Sequence, residues 1–236
     1  MRDNRRMTKR SLDSPENLPA APMQPAAAAL PSPSSLPTLP VGDAPVGVLL
    51  AAGFGRRFDA SGTRSKLLAP LRRGDDAGVA LALAAARRLC AALPRVVAVT
   101  RGDELLDALL ADAGCAVIRS ARAAMGMGAS LADAVRATPT ARGWVVALAD
   151  MPFVSTSTIV AVATAIMPPA GATAIAAPAR DGRRGHPVAF GRSHRAALLR
   201  LDGDSGPRQL LAEFPCTLIE TLDEGVFIDV DTASDL

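Results

Sequence analysis

Short apolar runs alternate with longer amphipathic stretches from residue 46 onward. Val46-Gly47-Val48-Leu49-Leu50, leading into residue 51, and Gly143–Ala149 (GWVVALA) have the length and β-branched content of buried strands. Residues 95–100 (RVVAVT), 115–118, 173–179, 187–190, 217–220 and 226–230 read as further strands. Between them, 77–93, 103–113, 128–137, 155–167, 193–201 and 206–214 read as helices. Pro94 and Gly114 mark two helix ends, and Ser155 and Thr156 are cap candidates for a third. Strands alternating with helices of about 10–15 residues imply βαβ units. The expectation is an α/β protein with a mainly parallel sheet covered by helices on both faces. Ligands of such sheets lie beyond the carboxyl ends of the strands, near a topological switch point.

Residues 1–44 break this pattern. Nine of the 19 prolines fall between residues 11 and 45, set among Ser and Ala. Such a stretch buries too little apolar surface to offset its ordering entropy, so 1–44 is expected to be a disordered leader and 45–236 one folded domain. Met7 and Met23 offer alternative starts. The basic N-terminus lacks an apolar stretch behind it, and no apolar run approaches the ~20 residues of a membrane span. Those two features argue for a cytoplasmic protein without a membrane partner.

Charge changes the picture little. Of 26 basic and 23 acidic residues, five and four lie in residues 1–45, which leaves 21 against 19 in the domain. Aromatics make up 3% and tyrosine is absent. A near-neutral domain with few stacking side chains argues against nucleic acid as a partner. Cys90, Cys115 and Cys216 show no C-x-x-C spacing, which argues against a disulfide framework or a zinc site; each reads as a small apolar residue.

Candidate chemistry gathers at strand ends. The first strand breaks into Ala51-Ala52-Gly53-Phe54-Gly55, followed by Arg56, Arg57 and, further on, Lys66. Small residues, exposed amides and cations after a strand suit a polyphosphate; the alternative is a tight turn with a solvated basic face. The turn is neither a P-loop nor G-x-G-x-x-G, since Phe58 follows Arg57. Lys9 and Lys66 are the only lysines among the 26 basic residues. One lysine in the domain, just past an anion-suited turn, suggests a place where a compact ammonium fits and a planar guanidinium does not. Asp150 follows the buried run VVALA and lies several residues too early to cap the next helix. A carboxylate there is costly unless paired or bound to a cation, and Mg²⁺ takes one or two carboxylates plus substrate phosphates. Asp229 and Asp231, at i and i+2, would share one side of an extended strand. Either could supply a second ligand, or Asp231 could cap a terminal helix from Ala233. His186 enters a strand after a basic loop, and Asp202-Gly203-Asp204-Ser205-Gly206 is a polar turn suited to an anionic group.

In order, LLAAGFGRRF (49–58) with Lys66, GMGASL (126–131), LADMP (148–152), GHPVAF (185–190), GDSGPRQLL (203–211) and DVDTASDL (229–236) resemble the molybdenum-cofactor nucleotidyltransferases, the MobA/MocA-like group. The L-A-A-G sequence is similar to the cytidylyltransferase branch. The resemblance implies a three-layer α/β/α Rossmann-like nucleotidyltransferase domain and Mg²⁺-dependent transfer of CMP from CTP, or of NMP from another NTP, to a phosphorylated pterin-type acceptor. It implies nucleotide binding by Leu50, Ala51, Ala52, Gly53, Gly55, Arg56, Lys66 and Ser130, with Arg56, Lys66 and Asp150 in catalysis. It assigns metal to Asp150 with Asp229 or Asp231, and the acceptor side to His186, Ser205 and Gly206. A transient contact with a molybdoenzyme or its chaperone also follows. An acceptor phosphate oxygen would attack the α-phosphorus and pyrophosphate would leave, so no activated nucleophile is needed. One departure is the stretch Asp59–Ser65, inserted where the family often has Gly directly after R-R-[MF]. A nucleotidyltransferase for another acceptor, such as a sugar or polyol phosphate, is the alternative within the class. A dinucleotide-binding reductase or a non-catalytic binding protein is the alternative outside it.

Overall fold

The computed structural model describes residues 44–55, 57–59, 64–167, 171–203 and 207–236. Of the expected leader 1–44, residues 1–43 lie outside the described residues. An eight-stranded sheet is built from β1 (Val46–Leu50), β2 (Val96–Thr100), β3 (Ala116–Arg119), β4 (Gly143–Leu148), β5 (Ile175–Arg180), β6 (Arg183–Arg184), β7 (Val188–Gly191) and β8 (Cys216–Glu220). The path runs β3-β2-β1-β4-β7-β5-β6, with β8 on β5. β1 pairs in parallel with β2 and β4, β2 with β3, and β5 with β8. β7 enters antiparallel between β4 and β5, and β6 is antiparallel to β5.

Alternation along the strands divides the core into two layers. Leu49, Ala98 and Val145 face α1 (Leu81–Ala92), α2 (Glu104–Asp112) and α4 (Thr156–Thr164). Val46, Val48, Leu50, Val97, Val99, Trp144 and Val146 face α3 (Met127–Ala137), α5 (Arg195–Leu199) and α6 (Arg208–Glu213). Side chains of period two, apolar on both sides, leave a strand no solvent face, which is why β1 and β4 are uniformly apolar. Trp144, the only tryptophan, is fully buried and donates through Nε1 to Thr138 Oγ1 at 2.8 Å.

Ser155 is the N-cap of α4, accepting from Thr158 N at 3.2 Å. The expected helix 77–93 starts only at Leu81, because Gly78 takes a left-handed φ of 86° and the chain before it folds into a turn closed by the Pro70–Ala80 bridge. The expected strand 226–230 does not form. Glu224–Phe227 is a 3-10 turn capped by Asp223, whose other oxygen accepts from Ser155 N and Thr158 Oγ1. The turn is pressed against the chain after β4: a Cβ on Gly225 would lie 2.1 Å from the Phe153 carbonyl oxygen. Downstream, Val230 N donates to Asp150 O at 2.9 Å, a single tether in place of a ladder. No terminal helix follows; Asp235 instead accepts from the amides of Asp231 and Thr232.

Gly225→Ala should therefore cost about 1–3 kcal/mol of stability through overpacking. Urea unfolding followed by Trp144 fluorescence should show a lower midpoint with an unchanged slope; an unaltered midpoint would mean that this contact yields freely.

Candidate active site

The carboxyl ends of β1 and β4 open into a cavity of about 500 Å³. Its floor is the glycine turn, with Leu50, Ala52, Gly53, Phe54 and Gly55; the first turn of α3 brings Gly126, Met127 and Ser130; and Ala123 and Ala124 precede that helix. Lys66, Arg57, Asp150 and Asp231 close the remaining side. Gly55 has a φ of +59°, and a Cβ there would sit 3.2 Å from Lys66 Cβ. The turn thus needs glycine both for its backbone and to let Lys66 pass. Phe54 carries the Arg101 guanidinium 4.0 Å from its ring centroid, which ties the turn to the end of β2.

Lys66 is 8% exposed, and its Nζ lies 2.9 Å from Asp150 Oδ2 and 3.4 Å from Asp231 Oδ1. Arg57 reaches the other oxygen of Asp231 at 2.5 Å from an exposed position. A buried ammonium requires such partners, because desolvating it alone is prohibitive. The formal charges of these four groups cancel. Two carboxylates converging on one cation form a donor set that fits a divalent ion whose remaining ligands are phosphate oxygens and water. Among the described residues no cluster of three or more His, Cys, Asp or Glu could hold a metal by itself.

Of the residues singled out in the sequence, Leu50, Ala52, Gly53, Gly55, Lys66, Ser130, Asp150 and Asp231 share this cavity. Ser130 is buried, and its hydroxyl donates to Gly126 O at 3.2 Å. Ala51 turns the other way: its side chain joins the core and its amide donates to Val99 O. Asp229 is exposed and outside the cavity, since the chain is not a strand there and i, i+2 residues no longer share a side. Arg56, Ser205 and Gly206 lie outside the described residues. The turn that leads to the latter two packs against α3, where a Cβ on Gly128 would meet Asp202 O at 2.9 Å. Arg57, read with Arg56 among the cations after the turn but given no site role of its own, lines the cavity; Met127, Ala123 and Ala124 are cavity residues that sequence reasoning missed and only the fold reveals.

His186 stands behind Asp150 rather than in the cavity. It borders a small void of about 10 Å³ with Leu148 and Met151, and its buried Nδ1 has no partner. Burial holds its pKa below the ordinary 6.5; Asp150 and Asp229 pull upward and Arg184 and Arg208 downward. Burial thus favours the neutral ring, while the nearby Asp150 and Asp229 carboxylates favour its charged form and the Arg184 and Arg208 guanidiniums oppose it.

A sequence profile of the MobA-like NTP transferase domain matches residues 47–218. No curated protein sequence matches significantly. Among solved structures, Rv0371c from Mycobacterium tuberculosis H37Rv is 26% identical, with a TM-score of 0.64 over 81% of this chain and 95% of that one. A manganese complex of that protein is also known, with a TM-score of 0.61. Molybdopterin-guanine dinucleotide biosynthesis protein A from Archaeoglobus fulgidus is 20% identical, with a TM-score of 0.59 over 80% of this chain and 94% of that one. 4-Diphosphocytidyl-2C-methyl-D-erythritol synthase from Anaerococcus prevotii is 14% identical, with a TM-score of 0.59 over 82% and 93%. The last two share the fold. No helix among the described residues is long and apolar enough to cross a membrane.

The His186 environment generates a pH prediction. The unfolded chain protonates this ring near 6.5 and the native site resists it, so its contribution is complete above that value and is lost as pH falls through it toward the lower native pKa. Urea unfolding compared at about pH 7.5 and 5.5 should show a smaller loss of stability for His186→Asn than for wild type. Equal losses would show that the ring titrates as if solvated.

Proposed function

This chain belongs to the MobA-like NTP transferase domain family, and we propose that it is a divalent-metal-dependent nucleotidyltransferase that moves CMP from CTP to a phosphorylated pterin-type acceptor, with molybdopterin or the molybdenum cofactor as that acceptor. The observation that carries the reading is the Lys66–Asp150–Asp231 cluster at the side of a 500 Å³ cavity lined by the glycine turn. Small-molecule sites commonly span about 300–1,000 Å³, which accommodates a nucleotide. The L-A-A-G sequence supports CTP over GTP through its likeness to the cytidylyltransferase branch.

Leu50, Ala52 and Ser130 take the nucleoside end, and the amides of Gly53–Gly55 with Arg56, Arg57 and Lys66 take the triphosphate. Asp150 and Asp231 are the residues that would hold Mg²⁺ or Mn²⁺, which supplies Lewis-acid neutralisation of phosphate charge. The acceptor approaches from the far side of Asp150, where neutral His186, Arg184 and Arg208 offer a hydrogen-bonding ring and two cations to its phosphate; Ser205 and Gly206, outside the described residues, are assigned to the acceptor side from the sequence. The acceptor phosphate oxygen bonds to the α-phosphorus as the bond to pyrophosphate breaks. Arg57 and Lys66 offset the charge that builds on the leaving group. A phosphate monoester needs no deprotonation, so catalysis is positioning and electrostatics. A transient contact with the molybdoenzyme that receives the product, or with its chaperone, and a cytoplasmic location accord with this chemistry.

Thermal shifts with CTP, GTP, ATP and NADPH, each with and without Mg²⁺, test the nucleotide. CTP should raise Tm only with the metal; a shift with NADPH alone would overturn the reading. Pyrophosphate release across a panel of phosphorylated acceptors then tests the second substrate. Asp150→Asn should lower turnover by about 10³-fold or more at a temperature where the variant is still folded, with a lower Tm because buried Lys66 loses one of its two carboxylates; wild-type rates would remove its metal role. Lys66→Arg should impair turnover although charge is kept, because the guanidinium is planar and bulkier than the ammonium that this buried position holds; unchanged kcat and KM would show that charge alone matters.

A further inference from the structure

We propose that Cys90 and Cys115 form an oxidisable dithiol, a modification site set apart from the nucleotide cavity and coupled to it through α1. Their sulfurs lie 3.6 Å apart, Cys90 on the last turn of α1 and Cys115 at the junction of α2 and β3. Cys115 is buried and Cys90 half-buried, so Cys90 is the sulfur that an oxidant reaches.

The two thiols are chemically unequal. A hydrogen bond from Cys115 lowers the pKa of Cys90 against the opposing effect of burial; the same bond, burial and the Cys90 charge raise that of Cys115. Thiolate character follows the first, and the thiolate is the reactive form. With a hydroperoxide as oxidant, Cys90 sulfur takes the terminal oxygen, the O–O bond breaks and hydroxide or alkoxide leaves. Cys115 sulfur then displaces the hydroxyl of the sulfenic acid as water, forming the S–S bond; an external dithiol reverses it. Closing 3.6 Å to a covalent bond of about 2.0 Å requires a small displacement of α1 against α2 and β3.

That displacement has a route to the site. Arg88, two residues before Cys90 on α1, donates from Nε to Pro152 O at 2.5 Å and pairs through Nη2 with Asp76 at 2.5 Å. Pro152 belongs to the Asp150-Met151-Pro152 segment that presents the Asp150 carboxylate.

The test is intact-mass analysis of the full chain after brief exposure to stoichiometric hydrogen peroxide. The expected product is two hydrogens lighter than the starting protein, with the bond mapped between Cys90 and Cys115, and dithiothreitol restores the mass. Cys216→Ser should behave as wild type. Cys115→Ser should stop at a dimedone-reactive sulfenic acid on Cys90, and Cys90→Ser should leave Cys115 unmodified. Oxygen addition to the wild-type chain without loss of hydrogens, a bond involving Cys216, or modification of Cys115 first would each overturn the proposal. The wild-type arm decides it even if a variant folds poorly.

Discussion

A buried ammonium dictates much of this structure. Lys66 is 8% exposed, and its charge is tolerable only because Asp150 and Asp231 come to it. These residues are 84 and 165 positions away in sequence, so the chain must return twice to the same point. The first return is fixed by β4 running parallel to β1, with Leu50 opposite Leu148, which sets both strand ends at one level. The second is fixed by the Glu224–Phe227 turn and the Val230–Asp150 tether. Removing either return would leave a cation in a low-dielectric pocket with half its compensation.

The same requirement explains the sheet. β4 has a parallel neighbour on one side, β1, and an antiparallel one on the other, β7. The carboxyl end of β4 and the amino end of β7 consequently lie at the same edge. This is how His186, two residues before β7, arrives beside the residues that follow β4. The cavity at the ends of β1 and β4 and the His186 ring before β7 are thus neighbours across the end of β4.

Much of the fold was legible because it is written in period-two apolar runs. β1 and β4 have apolar residues on both faces, and nothing but a central strand accommodates that. The 226–230 run misleads for a physical reason: Val226, Phe227, Ile228 and Val230 look like a strand, but Gly225 lets the chain press onto Phe153 and the apolar side chains are consumed in packing without a ladder. From that error followed the pairing of Asp229 with Asp231, which presumes extended geometry. The glycine turn was legible as an anion-suited loop, yet which of its side chains face the cavity was not. Ala51 continues the strand alternation into the layer of Leu49, whereas Leu50 belongs to the opposite layer and, like Ala52, borders the cavity, a distinction that depends on the pleat. The contrast between Lys66 and the arginine-rich background pointed to a tight site for an ammonium. That its nearest partners would be carboxylates could be known only once Asp150 and Asp231 were placed.

The segment 150–152 is held by atoms other than the one it displays. Asp150 accepts at its backbone oxygen from Val230, Pro152 O accepts from Arg88, and Met151 N donates to Leu148 O. The Asp150 carboxylate is therefore positioned by main-chain bonds from three different directions, and none of them involves its side chain. A side chain so supported can exchange a cation partner without moving its backbone. Lys66 is the partner seen here, and it is itself anchored by a 3-10 turn packed on α1. Since the four charged groups sum to zero, any added divalent cation makes the cluster net positive, and an anionic ligand is then favoured in the cavity. On the proposed function, this charge balance favours a cation and a polyanion entering together.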